Sequence, residues 1–165
     1  MVKIIKLSQI HAAINDAITN ALVGTDFSQV KIYSEDEKSA FQSNTDGTVT
    51  ALLRPSLRIT FDSAQAGKFN SQLKERNLTV RIYFFAQDKY KYKKDNLKMQ
   101  DLLENTFLED VQVTPSFFMP ISNEEGVQSQ IIDTVLECSF DLYSLEEIYD
   151  DSALEPIEEL NINLE

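Results

Sequence analysis

The sequence predicts an α+β domain in which a mostly antiparallel sheet carries two helices packed on one face. Two segments repeat apolar residues every three and four positions, the period of a helix, and several others alternate apolar with polar residues, the period of a strand. Their order along the chain is helix, strand, hairpin, helix, strands, which suits helices gathered on one side of an antiparallel sheet.

The first helix has Ser8 as its expected N-cap, an apolar stripe of Ile10, Ile14, Ala17, Ile18, Ala21 and Leu22, and Gly24 as its stop. Val30 to Tyr33 alternates as a short strand, and the polar stretch Ser34 to Thr50 reads as a mobile loop. Beyond Pro55, Leu57, Ile59 and Phe61 alternate with Arg58 and Thr60. Leu78, Val80, Ile82 and Phe84 do the same with Thr79, Arg81 and Tyr83. These are two antiparallel strands, joined by a polar excursion from Asp62 to Asn77 that is longer than a hairpin needs and is expected to be a contact loop.

From Asp88 a basic run, Lys89, Lys91, Lys93 and Lys94, leads into Met99, Leu102, Leu103 and Phe107 at helical spacing, the second helix. Val111 and Val113, then Phe117 to Met119, form short strands bounded by Pro115 and Pro120. After Gly126 comes the clearest strand, with Thr134, Leu136, Cys138, Phe140 and Leu142 on one face and Asp133, Glu137, Ser139 and Asp141 on the other. At the end, Leu160, Ile162 and Leu164 alternate with Asn161 and Asn163 like a strand that lacks a partner within the domain. Two readings of this arm stay open: it pairs with a sheet edge of another subunit, or it is a plain acidic tail.

A chain of 165 residues suits a single domain, which removes roughly 70% of its unfolded surface from water. Residues 1–145 are expected to form it, with 146–165 as an acidic C-terminal arm. The first six residues are too short for a signal-peptide core and no stretch approaches the roughly 20 apolar residues of a membrane span. A soluble protein that stays in the cytoplasm where it is made, with no membrane partner, is the expectation.

Charge is distributed unevenly. The net charge is −12, yet all fifteen Lys and Arg lie at or before Lys98 against ten acids, a net of +5. The remainder holds seventeen acids and no base, a net of −17. Phosphate-backbone binding draws its free energy from Lys and Arg displacing counterions, so this balance opposes sequence-specific nucleic-acid binding as the main role. Separated basic and acidic surfaces favour complementary contact between copies, most simply head to tail.

No constellation for catalysis emerges. His11, the lone imidazole, sits at the edge of the first helix stripe with no Ser, Cys or Asp arrangement tied to it. Cys138 lies on the apolar side of a strand, where a free thiol behaves as a small hydrophobe. Paired acids such as Glu124/Glu125, Glu146/Glu147 and Asp150/Asp151 lack the order of a calcium loop, and the four glycines form no phosphate-cradling motif. Catalytic residues, metal ligands and cofactors are therefore all expected to be absent. The residues expected to make subunit or partner contacts are Lys68, Lys74 and Arg76 in the hairpin excursion, and Lys89, Lys91, Lys93 and Lys94 before the second helix. Their acidic counterparts would be Glu124, Glu125, Glu146 and Glu147, and Leu160, Ile162 and Leu164 are the residues for arm pairing.

Taken in order, IHAAINDAITNALVG, VKIYSED, PSLRITF, LTVRIYFFAQDKYKYKKDNLKMQDLLENTF and DTVLECSFDLYSL, within about residues 7–145, resemble the tail terminator and tail completion proteins of long-tailed bacteriophages and prophages. The most specific piece is RIYFFAQDKY running into a helix, followed later by a long strand of the FDLY kind. The resemblance implies a structural subunit of the virion tail, in the host cytoplasm before assembly. It implies a ring, commonly of six copies, that stops growth of the tail tube and presents a surface to head-completion proteins, so that its partners are itself, the tail tube protein and a head-completion protein. The polar stretch 34–50 and the acidic arm depart from that pattern. Other readings remain: a different head–tail connector or tube subunit, a small acidic protein that masks a basic partner, and, third, an enzyme whose pocket joins scattered acids.

Overall fold

A computed structural model describes residues 5–33, 41–43, 49–122 and 124–148. The expected class holds: two helices and a mostly antiparallel sheet. Helix α1 (Leu7–Leu22) buries Ile10, Ile14, Ile18 and Leu22. Its N-cap is Lys6 rather than Ser8, and the Gln9 side chain accepts the Lys6 amide proton at 2.9 Å. Gly24 follows at φ 75°, the left-handed stop that glycine takes without a Cβ clash.

Strand β1 (Lys31–Tyr33) runs parallel to β4 (Ser56–Lys68), the one parallel pairing among the described strands. Within the stretch read as a loop, β2 (Phe41–Ser43) and β3 (Val49–Leu52) pair as a small antiparallel hairpin. Strands of three and four residues are too short for alternation to show, and β3 runs two residues past the end of that stretch.

The excursion expected between Asp62 and Asn77 is not a loop. Strand β4 continues to Lys68, and β5 (Leu73–Phe85) returns in register with it from Lys68↔Lys74 to Ser56↔Phe85. The two strands form one long hairpin whose outer half is polar because it projects beyond the core. At its tip Asn70 Oδ1 accepts the amide protons of Gln72 and Leu73, both at 2.8 Å, the local turn bond that suits Asn. A register shift between Phe61 and Ser63 bulges β4 at Asp62.

Helix α2 (Lys93–Thr106) follows a turn in which Asp88 accepts the Tyr90 amide proton at 2.7 Å. It buries Met99 and Leu103, and also Asn96, whose side-chain amide donates to the Thr134 carbonyl at 3.1 Å. Strands β6 (Asp110–Thr114) and β7 (Phe117–Pro120) make a second small antiparallel pair.

The last expected strand proves to be a hairpin. Strand β8 (Gln128–Ile132) turns into β9 (Val135–Glu147) through Asp133 and Thr134, at φ 46° and 76°. Thr134 therefore belongs to the turn and not to the inward face of the strand. Two consecutive positive φ values give the turn the twist that matches paired strands. Strand β9 pairs with β5 as far as Leu73↔Glu147, so the domain boundary expected after residue 145 falls inside a strand. The arm residues Leu160, Ile162 and Leu164 lie outside the described residues.

The main sheet has the order β1-β4-β5-β9-β8. One face presents Leu57, Ile59, Leu78, Val80, Ile82, Phe84, Leu136, Cys138, Phe140 and Leu142 to a single core shared with the α1 stripe and with Met99, Leu103 and Phe107 of the α2 side. Phe107 stacks on Phe140 with ring centroids 4.6 Å apart. Burying one such large apolar side chain stabilises the fold by roughly 1.5–3 kcal/mol, which makes this face the main source of its stability.

Candidate functional site

The candidate site is a set of surfaces that carry the charged residues singled out in the sequence, and among the described residues no group of three or more His, Cys, Asp or Glu is placed to hold a metal ion. His11 is half-buried and meets Phe61 edge to face at 5.8 Å. Cys138 is fully buried beside Ser129, its sulfur 3.2 Å from the hydroxyl, and burial pushes the thiol up to about 11, which suppresses the reactive thiolate. A groove of about 560 Å³ between α1 and β6, lined among others by Ala13, Ala17, Val113 and Phe118, holds the carboxylates of Asp16 and Asp110 but no His, Cys, Lys or Arg.

Of the three cations expected in the hairpin excursion, the structure separates one from the others. Lys68 is exposed at the outer end of β4. Arg76 is only 5% exposed, because its position on β5 shares the core-facing side with Leu78 and the backbone of Ile5 lies over it. Its guanidinium meets Glu146 at 3.1 Å and donates to the Ile5 carbonyl at 2.9 Å. Lys74 reaches the same carboxylate at 3.6 Å, and Ser144 donates to it at 3.2 Å. Lys74, Arg76 and Glu146 thus pair with one another inside a single chain, with Arg76 Nη1 left buried without a hydrogen-bond partner. Alternation along β5 could have placed Arg76 on the core side, but only pairing with β9 shows which acid meets it.

Around the start of α2 the side chains of Lys89, Lys91, Lys93 and Lys94 are exposed, with Tyr90 at 81% exposure and the Lys89 ammonium 5.0 Å from its ring centre. Lys98 on α2 bonds Asp26, and that hydrogen bond holds the Asp26 carboxyl below its ordinary range. Glu124 and Glu125 are exposed just before β8, and Glu147 is exposed at the end of β9. Basic and acidic side chains thus remain free to face outward on different elements of one subunit.

Sequence reasoning missed a polar network on the sheet face away from the helices. Arg81 on β5 bridges Asp62, aimed by the β4 bulge, and Glu137 on β9 at 2.7 Å. Gln130 of β8 donates to the same Glu137 oxygen at 3.1 Å. Although burial pulls it down, the two carboxylates hold the guanidinium above its ordinary pKa. Beside this network β8 leaves Ile131 and Ile132 exposed at 44% and 49%. Gln128 to Ile132 carries no apolar–polar alternation, and the turn at Asp133 was read as part of one strand, so the sequence held no clear signal for β8.

The sequence profile of a family described as phage tail terminator protein matches residues 13–153, most of the chain and all of the sheet. No curated protein matches it at a significant level.

Proposed function

Since this chain belongs to the phage tail terminator family, and is by that membership a component of a virion tail, we propose that its copies close into a six-membered ring that caps the tail tube and joins the tail to the head. The observation that carries the ring is the outward placement of unlike charge: Lys68, Lys89, Lys91, Lys93 and Lys94 on one set of elements, Glu124, Glu125 and Glu147 on another. Such a subunit is self-complementary in a head-to-tail sense, and a heterologous contact of that kind closes into a ring when its rotation allows. Tube and head-completion proteins are the partners above and below, and no cofactor is needed. In this reading Arg76 and Glu146 serve the fold, and the exposed cations and acids serve assembly.

Absolute mass by light scattering over a range of concentrations, at low and high salt, tests the reading. A ring of six that dissociates as salt rises supports it, since screening weakens exposed charge pairs over about 10 Å at 0.1 M salt. A monomer under every condition sinks the self-assembling ring and favours a masking protein with a basic partner.

A further inference from the structure

Both edges of the main sheet are open among the described residues. Strand β1 covers β4 only from Ser56 to Arg58, leaving the outer edge of β4 from Ile59 to Lys68 without a strand beside it. At the opposite border, β8 pairs with β9 on one side and with no strand on the other. Natural edge strands are usually guarded by charge, proline or a bulge, because a row of unpaired amides and carbonyls templates pairing with another chain. Here Ser63 to Gly67 reads Ser-Ala-Gln-Ala-Gly and β8 reads Gln-Ser-Gln-Ile-Ile, with no charge and no proline in either. The β4 bulge at Asp62 and the charge of Lys68 stand only at the ends of its stretch.

The two edges also fit one another in direction. Three successive antiparallel pairings, β4 with β5, β5 with β9 and β9 with β8, leave β8 antiparallel to β4. A second copy in the same orientation therefore presents its β4 to β8 with the polarity of an antiparallel ladder.

Charge follows the same direction. Gln128 pairs with Ser139 and Ile132 with Val135, so the Gln128 end of β8 lies toward the hairpin tip, where Glu147 pairs with Leu73 and Lys68 ends β4. Glu124 and Glu125, just before β8, then fall on the same side as Lys68 of the neighbouring copy, and all three are exposed.

From these features we propose that β8 of one copy adds to the free outer edge of β4 in the next, continuing the sheet from subunit to subunit, with Glu124 and Glu125 beside the neighbour's Lys68. The proposal rests on the ring reading and names its contact. Main-chain hydrogen bonds supply the attachment, as in other cases of strand addition, and the charges at the end set its direction.

Disulfide cross-linking tests it. Gln65, Gln128 and Gln130 are exposed and share the sheet face away from the helices, while the native Cys138 is buried. Double variants Gln65→Cys with Gln130→Cys, and Gln65→Cys with Gln128→Cys, sample two registers two residues apart. The expected result is a ladder of covalent multimers under mild oxidation from at least one of them, and dimers when the two single variants are mixed. Lys68→Glu is expected to lower the yield at low salt, and adding Glu125→Lys to restore it. Monomers alone from both double variants, in a protein that light scattering shows to be a ring, overturn the edge pairing and leave the ring standing. Monomers with no ring overturn both. Cross-linking of Gln65→Cys to Ile162→Cys overturns it in favour of the C-terminal segment as occupant of the β4 edge.

Discussion

Arg76 on β5 and Glu146 on β9 meet at 3.1 Å at the polar end of the core-facing sheet surface, both almost wholly buried. Their encounter ties the outer half of the long hairpin to the last strand, and the Ile5 carbonyl joins the start of the described chain to the same point.

Removing one member of this pair leaves a buried charge without its main partner. Arg76→Met is therefore expected to destabilise the fold by about 3–5 kcal/mol, and Arg76→Met with Glu146→Leu to recover most of that loss. Urea unfolding of wild type, both single variants and the double variant checks it. A double variant no more stable than the worse single one would show that the pair is not the source of the effect.

Alkaline pH should expose the burial of Cys138. Its folded pKa is raised to about 11 from an ordinary 9.0, so the native state keeps a proton that the unfolded state loses. Below pH 9 both states are protonated and the thiol adds no pH dependence; between pH 9 and 11 stability falls, by an amount on the order of 2 kcal/mol. Cys138→Ala should flatten that part of the stability-against-pH curve, as followed by chemical denaturation. An unchanged slope would place the titration elsewhere.

At the tip of the β8–β9 hairpin, Thr134 holds a β-branched side chain at φ 76°, a conformation glycine adopts without strain. Thr134→Gly is expected to raise stability by roughly 1 kcal/mol, read as a higher midpoint in thermal or urea unfolding. Its backbone carbonyl, which accepts from Asn96, is retained in the variant.

Self-association should depend on the cations before α2. Lys91→Glu with Lys93→Glu is expected to weaken it at low salt while the unfolding midpoint stays within about 0.5 kcal/mol of wild type, because exposed charges contribute little to stability. Light scattering and urea unfolding measure the two effects separately, and unchanged assembly removes these lysines from the contact.

The helices and the inner strands were legible because one-sided burial writes itself into the sequence. Ile10, Ile14 and Ile18 must face one way on a helix, and Leu78, Val80, Ile82 and Phe84 one way on a strand. Where both faces of a strand meet water, no such mark exists. The outer half of β4, Ser63 to Lys68, is exposed on both faces and therefore looked like a loop although its backbone is paired, and the β2–β3 strands are too short for a period to show.

By itself the sequence determined the class of the fold, the core faces of α1, β5 and β9, the burial of the lone thiol and the division of charge along the chain. These depend on hydrophobic periodicity and composition, which are local properties of the chain. Tertiary structure alone decided which charges remain free. Lys68 and Arg76 look alike in the sequence, yet one projects from the end of β4 and the other is held between Glu146 and the Ile5 carbonyl. Side-chain partners come from strands brought together across some seventy residues, and the edges of β4 and β8 left open among the described residues follow from sheet order, a relation between elements that no single segment encodes.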